Sequence, residues 1–583
     1  MLTKSALKSS GLKGSFKSTN DIFKAFEIDG YKVVKEIEYH GMRGFMATSR
    51  YATNYESRQP KKTFYVEGNS YQMGYLLGQL DPKAVSKMAN EYVYNFIPAM
   101  INPQVDPKKF RVLWKLLWKF ITEKTKQLNK KYPEDIPEMY TQEIKGLVDG
   151  VSDTSDELVT FENLWNLNTA FDLILSNLYT GYGATDLEIY IRKKMPSFHT
   201  NMLIPPIFCN GFSVFGNATA SKKDHYFGRD FMLSAAEVLQ YTATMIIYNS
   251  TDTCKGKTPI PFVSVSAPGF VGSLTAMNAA GIGIGVNTVP AANCNRKRPG
   301  LNSIMLVRHC AQFASSAREG VEIIRDAQRG VSWLYILADG FSDKAVVVEA
   351  GRKEDHIEFL KYIPKKYKKL LPNKEFIKKN QSEPKQCKGI MERWNDYEYP
   401  EEYLRFNKKL FTYFKKNYKS SEFSINGFID NHFKETNCPN TYYFAPIRSP
   451  QKEVLVVTNM YIIPEMRCCM MNTYTVKKIK TPKGVKTANN TYDDIQWRYD
   501  MLNYLIQKEY GKINSNVAMD ILSFLDPEEE FPGYYMKNPT STDGMTRTIE
   551  GTKSVCDLKN KIIKSQFGYF MDEWIQLTLP NYI

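Results

Sequence analysis

The hydrophobic period of this chain changes near residue 200, and that change limits the folds open to it. Before the change, Phe110, Leu113, Trp114, Leu117, Trp118 and Ile121 recur at helical spacing, and residues 85–180 keep the same rhythm in aromatics and Leu. After it, short strand-like runs take over: Gly211–Phe215, Thr242–Tyr248, Pro261–Ala267 and Gly281–Asn287, separated by turn residues as in meandering antiparallel sheets. Residues 302–329 return to helical spacing and lead into Ser332–Gly340, a buried strand whose hairpin partner is Ala345–Glu349. Strands flanked by helical stretches on both sides predict stacked sheets between helices.

Other segments fill in the organisation. Residues 1–60 read as a flexible basic arm, rich in Lys and Ser at its start. A short strand then ends at Gly68 and a helix follows. Within it Gly74 and Gly78, four residues apart, share a face and predict close helix packing. Residues 364–440, rich in Lys and aromatics with weak periodicity, read as an insertion. Val454–Thr458 is a further strand ending at Asn459, and Asp494–Gln507 is a helix carrying Arg498.

Composition removes several function classes. The formal charge is +15, from 77 Lys+Arg against 62 Asp+Glu. No zinc-finger, RRM or basic-helix signature accompanies it, so the excess reads as solvated surface, as in Lys361–Lys388, and no nucleic-acid partner is expected. Nine cysteines without a C-x-x-C pair and six dispersed histidines assemble no zinc site, and the thiols are expected to be mostly reduced. No cofactor is expected either, since no Gly-rich phosphate loop sits between a strand and a helix. No apolar run approaches the roughly 18 residues of a membrane span, and the start lacks the apolar core of a secretory signal. The expected location is cytoplasmic.

The chemistry concentrates on one thiol. Cys209 stands in Ile207-Phe208-Cys209-Asn210-Gly211-Phe212, about 20 residues before Gly228-Arg229-Asp230-Phe231-Met232. If the chain is cut between Phe208 and Cys209, one residue offers a nucleophilic thiol and an α-amine with a reference pKa near 8, able to act as general base. Arg229 would lower the thiol pKa or hold a carboxylate.

From about residue 64 onward the chain resembles the cysteine N-terminal-nucleophile hydrolases. Within them it is most similar to the acyl-coenzyme A:6-aminopenicillanic acid acyltransferase group (peptidase family C45), with choloylglycine hydrolase and penicillin V acylase as more distant relatives. The resemblance is carried in order by Glu67–Gly74, Cys209–Phe212, Phe227–Met232, Ala267–Phe270, Met277-Asn278, Gly281–Asn287, Leu337–Gly340, Val457–Asn459 and Arg498. It implies an α+β fold, an αββα four-layer sandwich, made as a precursor that cuts itself before Cys209. Residues 61–208 would then be a helical propeptide or retained α chain, and residues 209–583 the catalytic β chain with the 364–440 insertion. The two chains would stay associated.

The resemblance also assigns roles. Asp230 would orient the new α-amine, although many relatives carry Gly-Arg-Asn-x-Asp and Met232 falls where the later acid would stand. Asn287 would be an oxyanion-hole side chain, Asn459 would line the same pocket, and Arg498 would be a charge behind it. The implied activity is cleavage or transfer of acyl groups at linear amide or acyl-thioester bonds, on a small-molecule substrate. The alternatives are a phospholipase B-like lipid hydrolase and an uncut, non-catalytic binding protein of the same fold.

Overall fold

The computed structural model describes residues 19–92, 111–179, 208–353, 389–397, 451–463, 502–523 and 551–580, apart from a few positions inside these spans. It also describes Met466, the strand pair 478–481 and 484–487, and Arg498–Tyr499. The strands are β1 (Tyr31–Tyr39), β2 (Met42–Thr53), β3 (Pro60–Gly68), β4 (Phe208–Phe215), β5 (His225–Met232), β6 (Thr244–Ser250), β7 (Phe262–Ser266), β8 (Thr275–Asn278) and β9 (Ile282–Thr288). They continue with β10 (Trp333–Asp339), β11 (Lys344–Ala350), β12 (Ile390–Trp394), β13 (Val454–Val457), β14 (Lys478–Thr481), β15 (Gly484–Thr487), β16 (Gly551–Asp557), β17 (Ile562–Gly568) and β18 (Ile575–Thr578). The helices used below are α1 (Thr19–Ile28), α2 (Ser70–Leu80), α3 (Glu138–Ser152), α4 (Phe161–Tyr179), α5 (Ser303–Phe313), α6 (Ala317–Asp326) and α7 (Ser515–Ser523).

The fold is α+β. A ten-stranded sheet runs β1-β2-β3-β6-β7-β8-β9-β10-β11-β12, and a six-stranded sheet runs β13-β4-β5-β16-β17-β18. Every neighbouring pair is antiparallel except β3 with β6. One core lies between the large sheet and helices α2 to α6, built from residues such as Leu76, Ile144, Leu173, Leu306, Ile324, Ile246 and Val348. A second core joins the two sheets, with Ile336 and Val347 of the large sheet sharing it with Val457, Phe227 and Cys556 of the small one. Helix α7 packs on β5 and β16.

Residues 19–60 are not a flexible arm. They form α1, β1 and β2, and β1 alternates buried or half-buried positions with exposed ones along its length. Lys32, Glu36 and Glu38 on the wet face of β1 disguised a period-2 strand. The turn to β2 is also visible in the residues: His40 and Gly41 both take positive φ, at 50° and 76°, the two-residue hairpin geometry that right-handed strand twist selects. The 364–440 insertion needs correction too, since β12 lies inside it and is the edge strand of the large sheet, paired with β11. The rest of that stretch, apart from residues 389–397, falls outside the described residues, as does the N-terminal part of the arm.

Among its described residues, the segment expected as a helical propeptide is mainly helical after Gly68, but it opens with β3, which sits between β2 and β6 inside the large sheet. Both cores therefore draw on residues from either side of Cys209. Gly74 and Gly78 do allow close packing. A Cβ at Gly74 would lie 2.1 Å from Glu143 O, one at Gly146 2.1 Å from Tyr71 O, and one at Gly150 2.2 Å from Tyr75 O, so α2 and α3 touch backbone to backbone. Asn69 starts α2 with a capping box, its side chain accepting from Gln72 N while Gln72 accepts from Asn69 N.

Asp172, buried on α4, fastens the start of α5 by accepting from Ser303 N (3.0 Å) and Ser303 Oγ (2.9 Å). Burial pushes its carboxyl up to about 7 in spite of those bonds. A raised folded pKa means that this group's stability is fully present below the unfolded carboxyl range and is lost as pH rises through about 7. Asp172→Asn cannot lose it. The melting temperature of Asp172→Asn relative to wild type should therefore rise between pH 5 and pH 8, and a difference that is flat or falls would contradict the buried-carboxyl account.

Candidate functional site around Cys209

Strand alternation decides what surrounds the thiol. Cys209 pairs with Phe231, Asn210 with Asp230 and Gly211 with Arg229. Paired residues share a face, and successive ones alternate. Gly211 looks toward Ile336 of the large sheet, and Arg229 lies over Gly285 of β9. Cys209, Gly211 and Arg229 thus face the large sheet, while Asn210, Asp230 and Lys553, which pairs with Asp230 from β16, face away from it.

On the inner face Arg229 Nη2 lies 3.7 Å from Cys209 Sγ and also donates to Val286 O. Its guanidinium sits 4.8 Å from the Phe231 ring centroid, and its Nε and Nη1, both buried, have no hydrogen-bond partner among the described residues. Burial pushes the Cys209 thiol up, Arg229 pulls it down, Asp230 pushes it up and Arg498 pulls it down. Arg229 fits here because β9 offers Gly285, where a Cβ would stand 2.9 Å from Arg229 Cγ and 3.1 Å from its Nε. Gly285→Ala should displace the guanidinium at a packing cost of about 1–3 kcal/mol. The expected result is that alkylation of Cys209, followed by peptide mass mapping, moves to higher pH. An unmoved profile would show that Arg229 does not act on the thiol.

The Cys209 backbone is held from two sides. Its N–H donates to Asn459 Oδ1 (2.9 Å), and its C=O accepts from Arg498 Nη1 (2.8 Å). Arg498 also donates to Asn210 Oδ1 (2.6 Å) and Asn459 Oδ1 (3.0 Å). Asn459 Nδ2 in turn donates to Thr288 O (2.8 Å) and Thr288 Oγ1 (3.1 Å), so both ends of its amide are engaged. Asn287, on the face of β9 shared with Gly285, spends an N–H on Thr458 O (3.0 Å) and leaves its buried Oδ1 without a partner among the described residues.

Cys209, Arg229, Asp230, Asn459 and Arg498 are therefore gathered at one place, with Asn287 one residue from the Thr288 that binds Asn459. Asp230 does not sit as expected. Its Oδ2 accepts from Asn210 Nδ2 (3.3 Å), and the group holding the Cys209 nitrogen is Asn459. The reason is parity: next to Arg229 in a strand, Asp230 must point to the other face. Burial pushes its carboxyl up to about 7 against the pull of Lys553, Arg229 and Arg498. Phe208 is the first residue of β4, so the bond before Cys209 lies within an ordered strand.

Sequence reasoning missed Asn210, Thr288 and Lys553. The first two adjoin residues already singled out, whereas Lys553, fully buried in a strand without a neighbouring acid in sequence, gave no signal. A Ser213–His225–Asp343 chain also exists, at 2.7 Å and 3.4 Å. Ser213 and His225 are fully buried within the sheets, burial lowers the His225 pKa, and Asp343 at the other end pairs with Lys559 (3.0 Å), so this is a core network that ends at a surface ion pair. The cavity of about 1040 Å³ lined by Cys254, His309, Arg298 and Tyr71 includes none of the residues around Cys209. Among the described residues no group of three His, Cys, Asp or Glu side chains could hold a metal ion, and no helix is long and apolar enough to cross a membrane.

No family model matches the chain. An uncharacterized protein of Archaeoglobus fulgidus is 27% identical over 556 residues, covering 95% of this chain and 70% of its own. Among solved structures, a mutant conjugated bile acid hydrolase from Clostridium perfringens aligns over 64% of this chain and 98% of its own, at 11% identity and a TM-score of 0.30. Penicillin V acylase from Agrobacterium tumefaciens covers 64% and 86%, at 11% identity and 0.30. A Caenorhabditis elegans N-acylethanolamine-hydrolyzing acid amidase ortholog covers 64% and 100%, at 9% identity and 0.28. At such scores the weight falls on the geometry around Cys209.

Proposed function

We propose that this protein is a cysteine N-terminal-nucleophile hydrolase or acyltransferase, activated by cutting its own chain between Phe208 and Cys209. The supporting observation is the Cys209 centre itself: a buried thiol beside a guanidinium, with its own N–H and C=O each held by a buried polar side chain. Two facing sheets, with helices against the large sheet and α7 against β5 and β16, support the αββα reading.

In the first step Cys209 Sγ attacks the Phe208 carbonyl carbon, its proton passing to the departing Cys209 nitrogen as the C–N bond breaks. Water then hydrolyses the thioester, leaving a carboxylate on Phe208 and a free thiol and α-amine on Cys209. In turnover the α-amine takes the thiol proton, Sγ attacks an amide or thioester carbonyl, and the amine or thiol leaves with that proton. Water completes hydrolysis; an acceptor amine completes acyl transfer. Asn459 holds the nitrogen that serves as base, Arg498 fixes the backbone carbonyl, and Arg229 favours the thiolate. The second N–H of Asn287 is one side-chain donor available to a developing oxyanion, a contribution of about 3–4 kcal/mol where such a donor acts.

Intact mass before and after incubation with a panel of N-acyl amides and acyl thioesters tests this. An acyl adduct mapping to Cys209, with release of the amine or thiol, is expected. A chain that stays uncut and takes no adduct would overturn the proposal and favour a binding protein.

A further inference from the structure

The loop that carries Asn459 is gripped on both sides by a buried ion pair that the chemistry above does not use. Glu349 of β11 points toward the small sheet, like Val347 two residues before it, and is fully buried. Its sheet neighbours at the same register, Leu334 and Met391, are apolar. Among the described residues the charged group facing it is Arg393 of β12, diagonal to it across the strand pair, with Nε 3.4 Å from Glu349 Oε1. Glu349 Oε1 accepts from Ile462 N (2.9 Å) and Oε2 from Ile463 N (3.1 Å). Arg393 Nη2 donates to Val456 O (2.9 Å), and Tyr461 Oη donates to Ala350 O (2.5 Å).

The grip thus falls three residues before Asn459 and three after it. β13 is the edge strand of the small sheet, so it has strand partners on one side only, and the large sheet holds its end through these polar contacts. Burying a carboxylate is costly, and an apolar residue at position 349 would close the sheet interface without that cost. What the carboxylate adds is a fixed position for two successive backbone N–H groups.

We propose that Glu349, with Arg393, is a positioning residue for the Cys209 centre, holding the 456–463 segment so that Asn459 stays registered against the Cys209 nitrogen. This rests on the reading of Cys209 as the nucleophile. A displacement of about 1 Å at such a centre can cost on the order of 100-fold in rate.

Protonation gives the test its signature. Burial pushes Glu349 up to about 7, against Arg393 and the two backbone N–H groups. The ionised form makes the grip, so the rate at Cys209 falls as pH drops through about 7. Fold stability runs the other way, since a raised folded pKa means stability present at low pH and lost as pH rises through about 7. A residue serving the fold alone would not lower the rate in the pH range where it stabilises the fold.

The experiment uses the full chain as wild type, Glu349→Gln and Glu349→Asp. The rate of cutting at Phe208–Cys209 is followed by intact mass from pH 5.5 to 9, with amide hydrogen exchange on the separated uncut chain, in which Cys209 still carries an amide. Glu349→Gln should cut about 10–100-fold more slowly above pH 7 and lose the limb near pH 7. Glu349→Asp should keep that limb. Exchange at Ile462, Ile463 and Cys209 should rise in Glu349→Gln while β16 and β17 stay protected. Wild-type rate, limb and exchange in a folded Glu349→Gln would overturn the inference. If Glu349→Gln fails to fold, Glu349→Asp carries the test: faster exchange at Ile462 and Ile463 without faster exchange at Cys209 would overturn it. A wild type that never cuts overturns the reading of Cys209 instead, and exchange then reports on the grip alone.

Discussion

Purified wild-type chain should resolve on a denaturing gel into residues 1–208 and 209–583, whereas Cys209→Ala should run as a single full-length species. The large effect follows from chemistry: alanine has no atom that can attack the Phe208 carbonyl. It also follows from placement, because the bond lies at the start of β4, with the Cys209 N–H already committed to Asn459 and its carbonyl to Arg498. End-sequencing of the larger fragment should begin at Cys209. Under native conditions the fragments should elute together, since β3 is hydrogen-bonded between β2 and β6 and cannot leave without opening the large sheet. Separation on a native column would refute the retained-chain proposal while leaving the cut intact.

The second large effect concerns the bolt between those two segments. Arg308 on α5 meets Glu143 on α3 through two contacts, Nη1 to Oε1 at 2.7 Å and Nη2 to Oε2 at 2.6 Å, with both side chains essentially fully buried. Nη1 also donates to Val271 O (2.7 Å), and the guanidinium lies 4.3 Å from the Tyr248 ring centroid and 5.4 Å from that of Tyr140. Arg308→Met strands a carboxylate in the core and should cost about 3–5 kcal/mol, read as a lowered thermal midpoint and faster loss of residues 1–208 from any cut complex. Replacing both partners, as Glu143→Leu with Arg308→Met, should recover most of that loss, because a buried ion pair and an apolar pair of similar volume are often close in energy. A single variant as stable as wild type would show that the pair contributes no net hold.

Much of the architecture was legible because it follows from periodicity. The runs around Gly211–Phe215, Gly281–Asn287 and Ser332–Gly340 are strands, residues 302–329 hold α5 and α6, and Gly74 with Gly78 marks the close helix contact. The failures had local causes. Charged residues on the wet face of β1 hid its alternation, and the Lys-rich surroundings of Ile390–Trp394 hid an edge strand. The site was legible as a set of names. Cys209, Arg229, Asn459 and Arg498 do converge, although Asn459 and Arg498 lie 250 and 289 residues from the thiol.

What the sequence determined by itself is the local pattern: which segments are helical, which are strands, and that a thiol heads one strand while a Gly-Arg-Asp run lies in the next. The tertiary structure alone decided which face each side chain meets. Asp230 and Arg229 are neighbours in sequence, yet pairing with β4 and β16 sends one to Asn210 and Lys553 and the other to Cys209. Likewise the Cys209 nitrogen is met by Asn459 because β13 pairs with β4 and the segment after it is tied to Thr288 and, through Ile462 and Ile463, to Glu349 by contacts that no spacing encodes. Strand parity is a property of the pairing, so only the assembled sheets could assign it.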